Sequence, residues 1–236
     1  MKKILVTALL STLLAACSST APRSHLDQVM SFSSAYTVAD TASFYWYSEK
    51  LLKPLSGADY VVEGSSGWYK TDYRWNDNGL SELIREGEQR KGSSRASRNK
   101  RVPYRVHVRF NQAGEAVYQQ YRIDGKVYPL NSSQMAAYKE DAALLSSRVK
   151  ASHKEGYTLI QGYWDGSDLK DCQHNPYAEL SFTPPLPNDA IRAALAQPSF
   201  VAFSGAEKGK RIAVEKLILS DSLEHACVEK PQFLEE

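Results

Sequence analysis

Residues 104–128 constrain the fold more tightly than any other stretch of the chain. Tyr104, Val106, Val108 and Phe110 alternate with Arg105, His107 and Arg109, a period of two that suits a half-buried strand. Asn111-Gln112-Ala113-Gly114 carries turn chemistry, and Val117 to Ile123 returns as a second strand. Asp124-Gly125 is a hairpin signal before Val127-Tyr128. Three strands in chain order, joined by tight turns, predict an antiparallel meander with one polar face.

Upstream, Ser43 to Ser48 is a compact aromatic run, and Tyr60 to Glu63 is a short apolar segment. Trp68 to Trp75 leads into the turn Asn76-Asp77-Asn78-Gly79. Leu80, Leu83 and Ile84 then open a return segment that fits either a strand or one helical turn. Downstream the period changes. Asn131-Ser132-Ser133 offers capping side chains, and Gln134 to Lys150 lacks glycine and proline. There Met135, Tyr138, Ala142, Leu145 and Val149 recur at helical spacing. Strands resume at Tyr157 to Trp164, Leu169 to Cys172 and Ala178 to Phe182. Asn188 caps a short helix through Ala196, and a last hairpin joins Phe200–Phe203 to Ile212–Leu219. The expected class is α+β: a mainly antiparallel β meander, one long helix packed on the sheet, and a smaller C-terminal β subdomain. Residues 35–236 form one globular domain, with subdomains of about 35–154 and 155–236 meeting at the helix.

The N-terminus reads as an address. Lys2 and Lys3 precede an uncharged apolar stretch, Ile4 to Leu14, which is too short to span a bilayer and fits a signal peptide of residues 1–16. A cysteine directly after Leu14-Ala15-Ala16 stands where bacterial lipoprotein precursors are cut and acylated. The mature chain is expected to begin at Cys17, bearing palmitate-type chains. Each buried methylene contributes about 0.8 kcal/mol, so one acyl chain holds marginally and two or more hold stably. Ser18 occupies the position where aspartate marks inner-membrane retention, so the expected home is the outer membrane, on its periplasmic face. Serine-rich residues 17–34, interrupted by Pro22, read as a lipidated flexible tether.

With Cys17 acylated, Cys172 and Cys227 remain. In an oxidising compartment such a pair is most simply a disulfide. The mirrored sets Cys172-Gln173-His174 and His225-Ala226-Cys227 offer zinc two sulfurs and two nitrogens, but the single intervening residue is tighter than structural zinc sites use. The disulfide is preferred, and no metal or cofactor is expected. The formal net charge of +2 gives no reason to expect nucleic acid as a partner.

Two features invite a functional reading. Arg90, Lys91, Arg95, Arg98, Lys100 and Arg101 lie in a loop of glycine and serines without one acidic residue, a set able to meet anionic headgroups. A solvated connection is the plainer account. Phe44, Tyr45, Trp46, Trp68, Tyr69, Tyr73 and Trp75 concentrate aromatic rings, which can stack on sugars but more commonly fill a core. Asp165, Asp168 and Asp171 repeat every third residue without the rest of a calcium loop, and read as turn acids. His25, His107, His153, His174 and His225 are scattered. No nucleophile elbow, zinc-protease pair or phosphate loop is present, and no catalytic residue is assigned.

Several stretches together resemble the YjaH-like lipoproteins of gammaproteobacteria, a domain-of-unknown-function family. They are Leu14-Ala15-Ala16-Cys17, Val108-Arg109-Phe110 through Gly114, and Ser132 through the helix. Leu159 to Trp164 leading to Cys172, and Val201-Ala202-Phe203 leading to Cys227, complete the likeness. The resemblance covers the signal and roughly the C-terminal two thirds. It implies a periplasmic lipoprotein in which the two cysteines recur, and it transfers no catalytic residue. The function expected is a non-catalytic envelope lipoprotein, held to the membrane through Cys17, that binds or assembles with envelope proteins or anionic lipids. The alternative is a carrier of a lipid or other hydrophobic ligand, in which a cavity lined by Val106, Val108, Phe110 and the helix stripe would hold the cargo.

Overall fold

The structure, a computed structural model, describes residues 28–90, 100–185 and 188–234. Its first sheet has eight strands in unbroken chain order: β1 (Val29–Val38), β2 (Thr41–Lys50), β3 (Lys53–Glu63), β4 (Gly67–Asn76), β5 (Gly79–Arg90), β6 (Arg101–Phe110), β7 (Ala116–Ile123) and β8 (Lys126–Tyr128). Each pairs antiparallel with the next. Asp124 and Gly125 both take positive φ, 50° and 78°, which gives their two-residue turn the twist of its flanking strands. Leu80 to Arg85 is strand throughout, because Leu83 and Arg85 point to the same face as Val106 and Val108 of β6 across the β5–β6 register.

Helix α1 (Ser132–Lys154) covers one face of this sheet. Asn131 accepts a hydrogen bond from the Gln134 amide at 2.8 Å, and the Gln134 side chain accepts one from the Asn131 amide at 3.0 Å, closing a capping box. Tyr138, Ala142, Leu145 and Val149 are buried against Tyr47, Tyr73, Leu83, Val106 and Val108. Over Gly57 the helix side chain Leu145 approaches the sheet backbone. A Cβ there would stand 3.0 Å from both Leu145 Cδ2 and Trp75 Cζ3, so the missing side chain is what lets Leu145 sit down.

The second sheet has the order β10 (Leu169–Lys170), β9 (Thr158–Trp164), β12 (Ser199–Lys208), β13 (Arg211–Asp221) and β11 (Glu179–Phe182), with β11 parallel to β13. Short helix α2 (Asp189–Ala194) begins where the Asn188 side chain accepts from the Ile191 amide. The two sheets meet chiefly across β1 and β2 rather than at α1. Phe44, Ala35 and Ala42 pack there against Phe200, Ala202, Ile218 and Val228.

The tether expected over residues 17–34 needs correction, because β1 already runs from Val29. Two of its serines, Ser33 and Ser34, are small strand residues in a crowded place, while Ser31 is exposed. Ser34 is fully buried, Ser31 Oγ lies 3.1 Å from Ser48 Oγ, and Ser33 Oγ lies 2.9 Å from Thr158 Oγ1 of the second sheet. A strand packed against a helix on one side and another sheet on the other leaves little room for larger groups.

Candidate functional site

The space between α1 and the sheet is filled along the buried stripe Tyr138, Ala142, Leu145 and Val149 and opens along the helix flank that carries Asp141, Leu144 and Arg148. Beneath the middle and start of the helix, Val106, Val108 and Phe110 pack directly into the apolar cluster with Tyr138, Ala142 and Leu145. Toward strands β1–β4 a cleft of about 290 Å³ opens, walled by Tyr36, Ser43, Tyr45, Asp59, Tyr69 and, from the helix, Asp141, Leu144 and Arg148.

Beside this cleft lies a buried polar network. Arg85 Nε donates to Thr71 Oγ1 at 2.7 Å, and one terminal nitrogen donates to the Tyr73 hydroxyl at 3.0 Å and to Asp141 Oδ2 at 2.8 Å. Tyr73 in turn donates to Asp59 Oδ2 at 2.8 Å, and Asp59 stands 3.9 Å from the guanidinium. The Tyr69 ring lies 4.0 Å from the guanidinium carbon and the Tyr138 ring 5.0 Å. Asp59 Oδ1 is buried and has no hydrogen-bond partner among the described residues. Burial pushes the Asp59 carboxyl above its ordinary range despite Arg85, Thr71 and Tyr73 acting to lower it. Burial likewise raises Tyr138, to about 12.

On the helix side, Arg148 donates to the Tyr45 hydroxyl at 2.6 Å and lies over the Tyr36 and Tyr45 rings, while the Tyr36 hydroxyl donates to the Arg148 carbonyl at 2.8 Å. The cleft wall thus presents hydroxyls, carboxylates and ring faces, and it includes neither histidine nor cysteine.

These residues escaped the sequence reading, though a signal was there. Asp59 and Arg85 occupy inward parity on their strands, and Asp141 and Arg148 fall within the apolar stripe at 138, 142, 145 and 149. A charge at core parity in two strands and on the facing helix stripe marks a buried network.

The residues singled out from sequence are distributed otherwise. Cys17, Lys91, Arg95 and Arg98 lie outside the described residues. Arg90 and Arg101 face each other across the β5–β6 register, and both turn to the β3–β4 connection. Arg90 donates to the Ser65 carbonyl at 3.2 Å and to its hydroxyl, and Arg101 donates to the Ser65 carbonyl at 3.3 Å. Lys100 is exposed just before β6. Cys172 and Cys227 form a disulfide. It consumes both sulfurs a zinc ion would need, and the two histidines stack on different rings, His174 on Tyr163 and His225 on Phe200. Asp165 accepts from Ser167 and Asp168 amides, and Asp171 from those of Gln173 and Asn175, as turn residues do.

From the disulfide the C-terminal segment crosses between sheets. Gln161 clamps Val228 at both backbone groups, donating at 2.8 Å and accepting at 2.9 Å. Further on, the Phe233 and Leu234 amides both donate to Asp72 Oδ2 at 2.9 Å, and Arg74 donates to the Leu234 carbonyl.

The molecule is therefore a two-sheet, helix-covered β protein with a cleft between helix and sheet that carries buried and half-buried charge. Residues 33–232 match the model of a family described as a protein of unknown function (DUF1481), and the chain belongs to that family. No curated protein and no solved structure matches the chain.

Proposed function

We propose that the chain is a non-catalytic lipoprotein of the bacterial cell envelope, one of the YjaH-like gammaproteobacterial members of its family. Acylated Cys17 holds it at the periplasmic face of the outer membrane, and it receives a polar partner in the cleft under α1. The address rests on the run from Lys2 to Cys17. Among the described residues no helix is long and apolar enough to cross a membrane.

The observation that carries the binding role is the division of space beneath α1. Where a carrier's cargo cavity would lie, Val106, Val108 and Phe110 are packed against the helix stripe; where space opens, Asp59, Glu63, Asp141 and Arg148 stand among tyrosine rings and the aliphatic Val38, Val61 and Leu144, so charge is available to any occupant. That division favours a recognition site over a hydrophobic-ligand carrier.

A photo-crosslinking residue placed at Leu144, on the cleft wall, in cells of the native host tests this. A discrete crosslinked partner at Leu144, absent when the same residue replaces exposed Glu207, supports the reading. Identical labelling at both positions, or crosslinking of phospholipid acyl chains at Leu144, sinks it.

A further inference from the structure

The turn joining β2 to β3 is made of Leu51 and Leu52, and both have positive φ, 53° and 63°. This left-handed pair is normally built from asparagine, aspartate or glycine, because a Cβ crowds the backbone there. Both side chains are also turned out to solvent, with 56% and 75% of their surface exposed. Neither turn geometry nor local packing calls for leucine at this tip. Val29, Met30 and Leu55 are exposed beside it, which extends the apolar surface along the same end of the sheet.

We infer that the Leu51–Leu52 tip inserts into the interface of a phospholipid bilayer. The flanking residues suit that occupant: Lys50 and Lys53 bracket the leucines, so their ammonium groups stand at headgroup level when the leucines lie below it. Lys53 pairs with Asp77 at 2.7 Å, but both groups are largely exposed, and lipid phosphate competes readily with such a pair. The position fits as well. In the β1–β2 register Val29 lies across from Lys50, so the chain enters the fold beside the tip. From Cys17 to Val29 the backbone reaches at most about 40 Å, so this end of the sheet, where the chain enters the fold, can touch a bilayer holding Cys17. The inference rests on the lipoprotein reading for that last point alone. Arg90 and Arg101 turn to the connection at the opposite end of β3, so a tip inserted end-on leaves them about 35 Å from that membrane.

The test uses the acylated full-length protein with Leu52→Cys, labelled with an environment-sensitive fluorophore and mixed with vesicles of phosphatidylethanolamine and phosphatidylglycerol. Ser66→Cys, in the turn at the other end of β3, is the comparison. Nitroxide phospholipids are expected to quench the label at Leu52 and not at Ser66, with a blue shift at Leu52 alone. Replacing Leu51 with serine in the Leu52→Cys protein should reduce the quenched fraction about tenfold. Quenching at Ser66 but not Leu52 overturns the inference in favour of the basic loop. A Leu52 label shielded from both nitroxide lipid and aqueous iodide overturns it in favour of a protein contact. Mass spectrometry of Cys17 is read separately: a free thiol there removes the anchor, while the quenching result still decides the tip.

Discussion

Arg85 on β5 and Asp141 on α1 are joined by a 2.8 Å ion pair that crosses the seam between sheet and helix. The guanidinium is almost wholly buried, whereas the Asp141 carboxylate keeps about a third of its side-chain surface in solvent. One buried cation thus serves two carboxylates, Asp141 at contact and Asp59 behind it.

Removing Arg85 leaves those carboxylates without their cation. Arg85→Met is expected to destabilise the fold by about 3–5 kcal/mol in urea denaturation, the cost of breaking a buried pair from one side. Adding Asp59→Asn should recover part of that loss, because the second change removes a stranded charge. Strict additivity of the two changes would show that Arg85 and Asp59 are not coupled.

Asp59→Asn alone has a pH signature. The folded chain holds the Asp59 proton to higher pH than the unfolded chain does, since burial raises this carboxyl. Its favourable contribution is complete below the ordinary carboxylate range and is lost as pH rises through the raised folded value. Asparagine mimics the protonated form, so the variant's stability relative to the parent should climb with pH across that window and then level off. Denaturation curves recorded from acid to neutral pH give the slope, and a falling difference contradicts the assignment.

Gly57 seats the helix. Gly57→Val is predicted to lower stability by about 1–3 kcal/mol through overpacking, because its side chain must displace Leu145 or Trp75. Trimming Leu145 to alanine in the same chain should relieve the clash, so the double variant loses less than the sum of the two single losses. Additive losses would mean that the two sites do not touch.

The Cys172–Cys227 bridge spans 55 residues, and the chain-entropy estimate for such a loop is about 4 kcal/mol. Replacing both cysteines with serine should cost up to that amount. It should also speed hydrogen exchange at the Val228 amide, which Gln161 holds, more than at the buried amides of β12. Equal acceleration everywhere would show that the bridge acts only on global stability.

Much of the fold could be read from the chain. Alternation marked β6, Asn111–Gly114 marked its turn into β7, Asp124-Gly125 marked the hairpin from β7 to β8, and the stripe from Met135 to Val149 marked α1. In each, local chemistry and tertiary burial agree. β1 was missed because Ser31, Ser33 and Ser34 lack the β-branched bulk that signals a strand. At Ser33 and Ser34 the small size answers to crowding by helix and second sheet, which no local window contains. The parallel partnership of β11 with β13 is equally invisible, since it depends on segments that a helix and another strand separate. The candidate cleft was hidden for a related reason. Asp59, Arg85, Asp141 and Arg148 look like ordinary surface charges one at a time, and only the shared parity of strands and helix brings them together.

The unbroken strand order of the large sheet bears on how the protein acquires its shape. Each strand finds its partner immediately behind it in the chain, so every closure is short and the sheet can zip up hairpin by hairpin. The small sheet has no such privilege: β9 must await β12, and β11 must await β13. Refolding should therefore run in two kinetic stages, with the N-terminal sheet serving as the template on which the later one condenses.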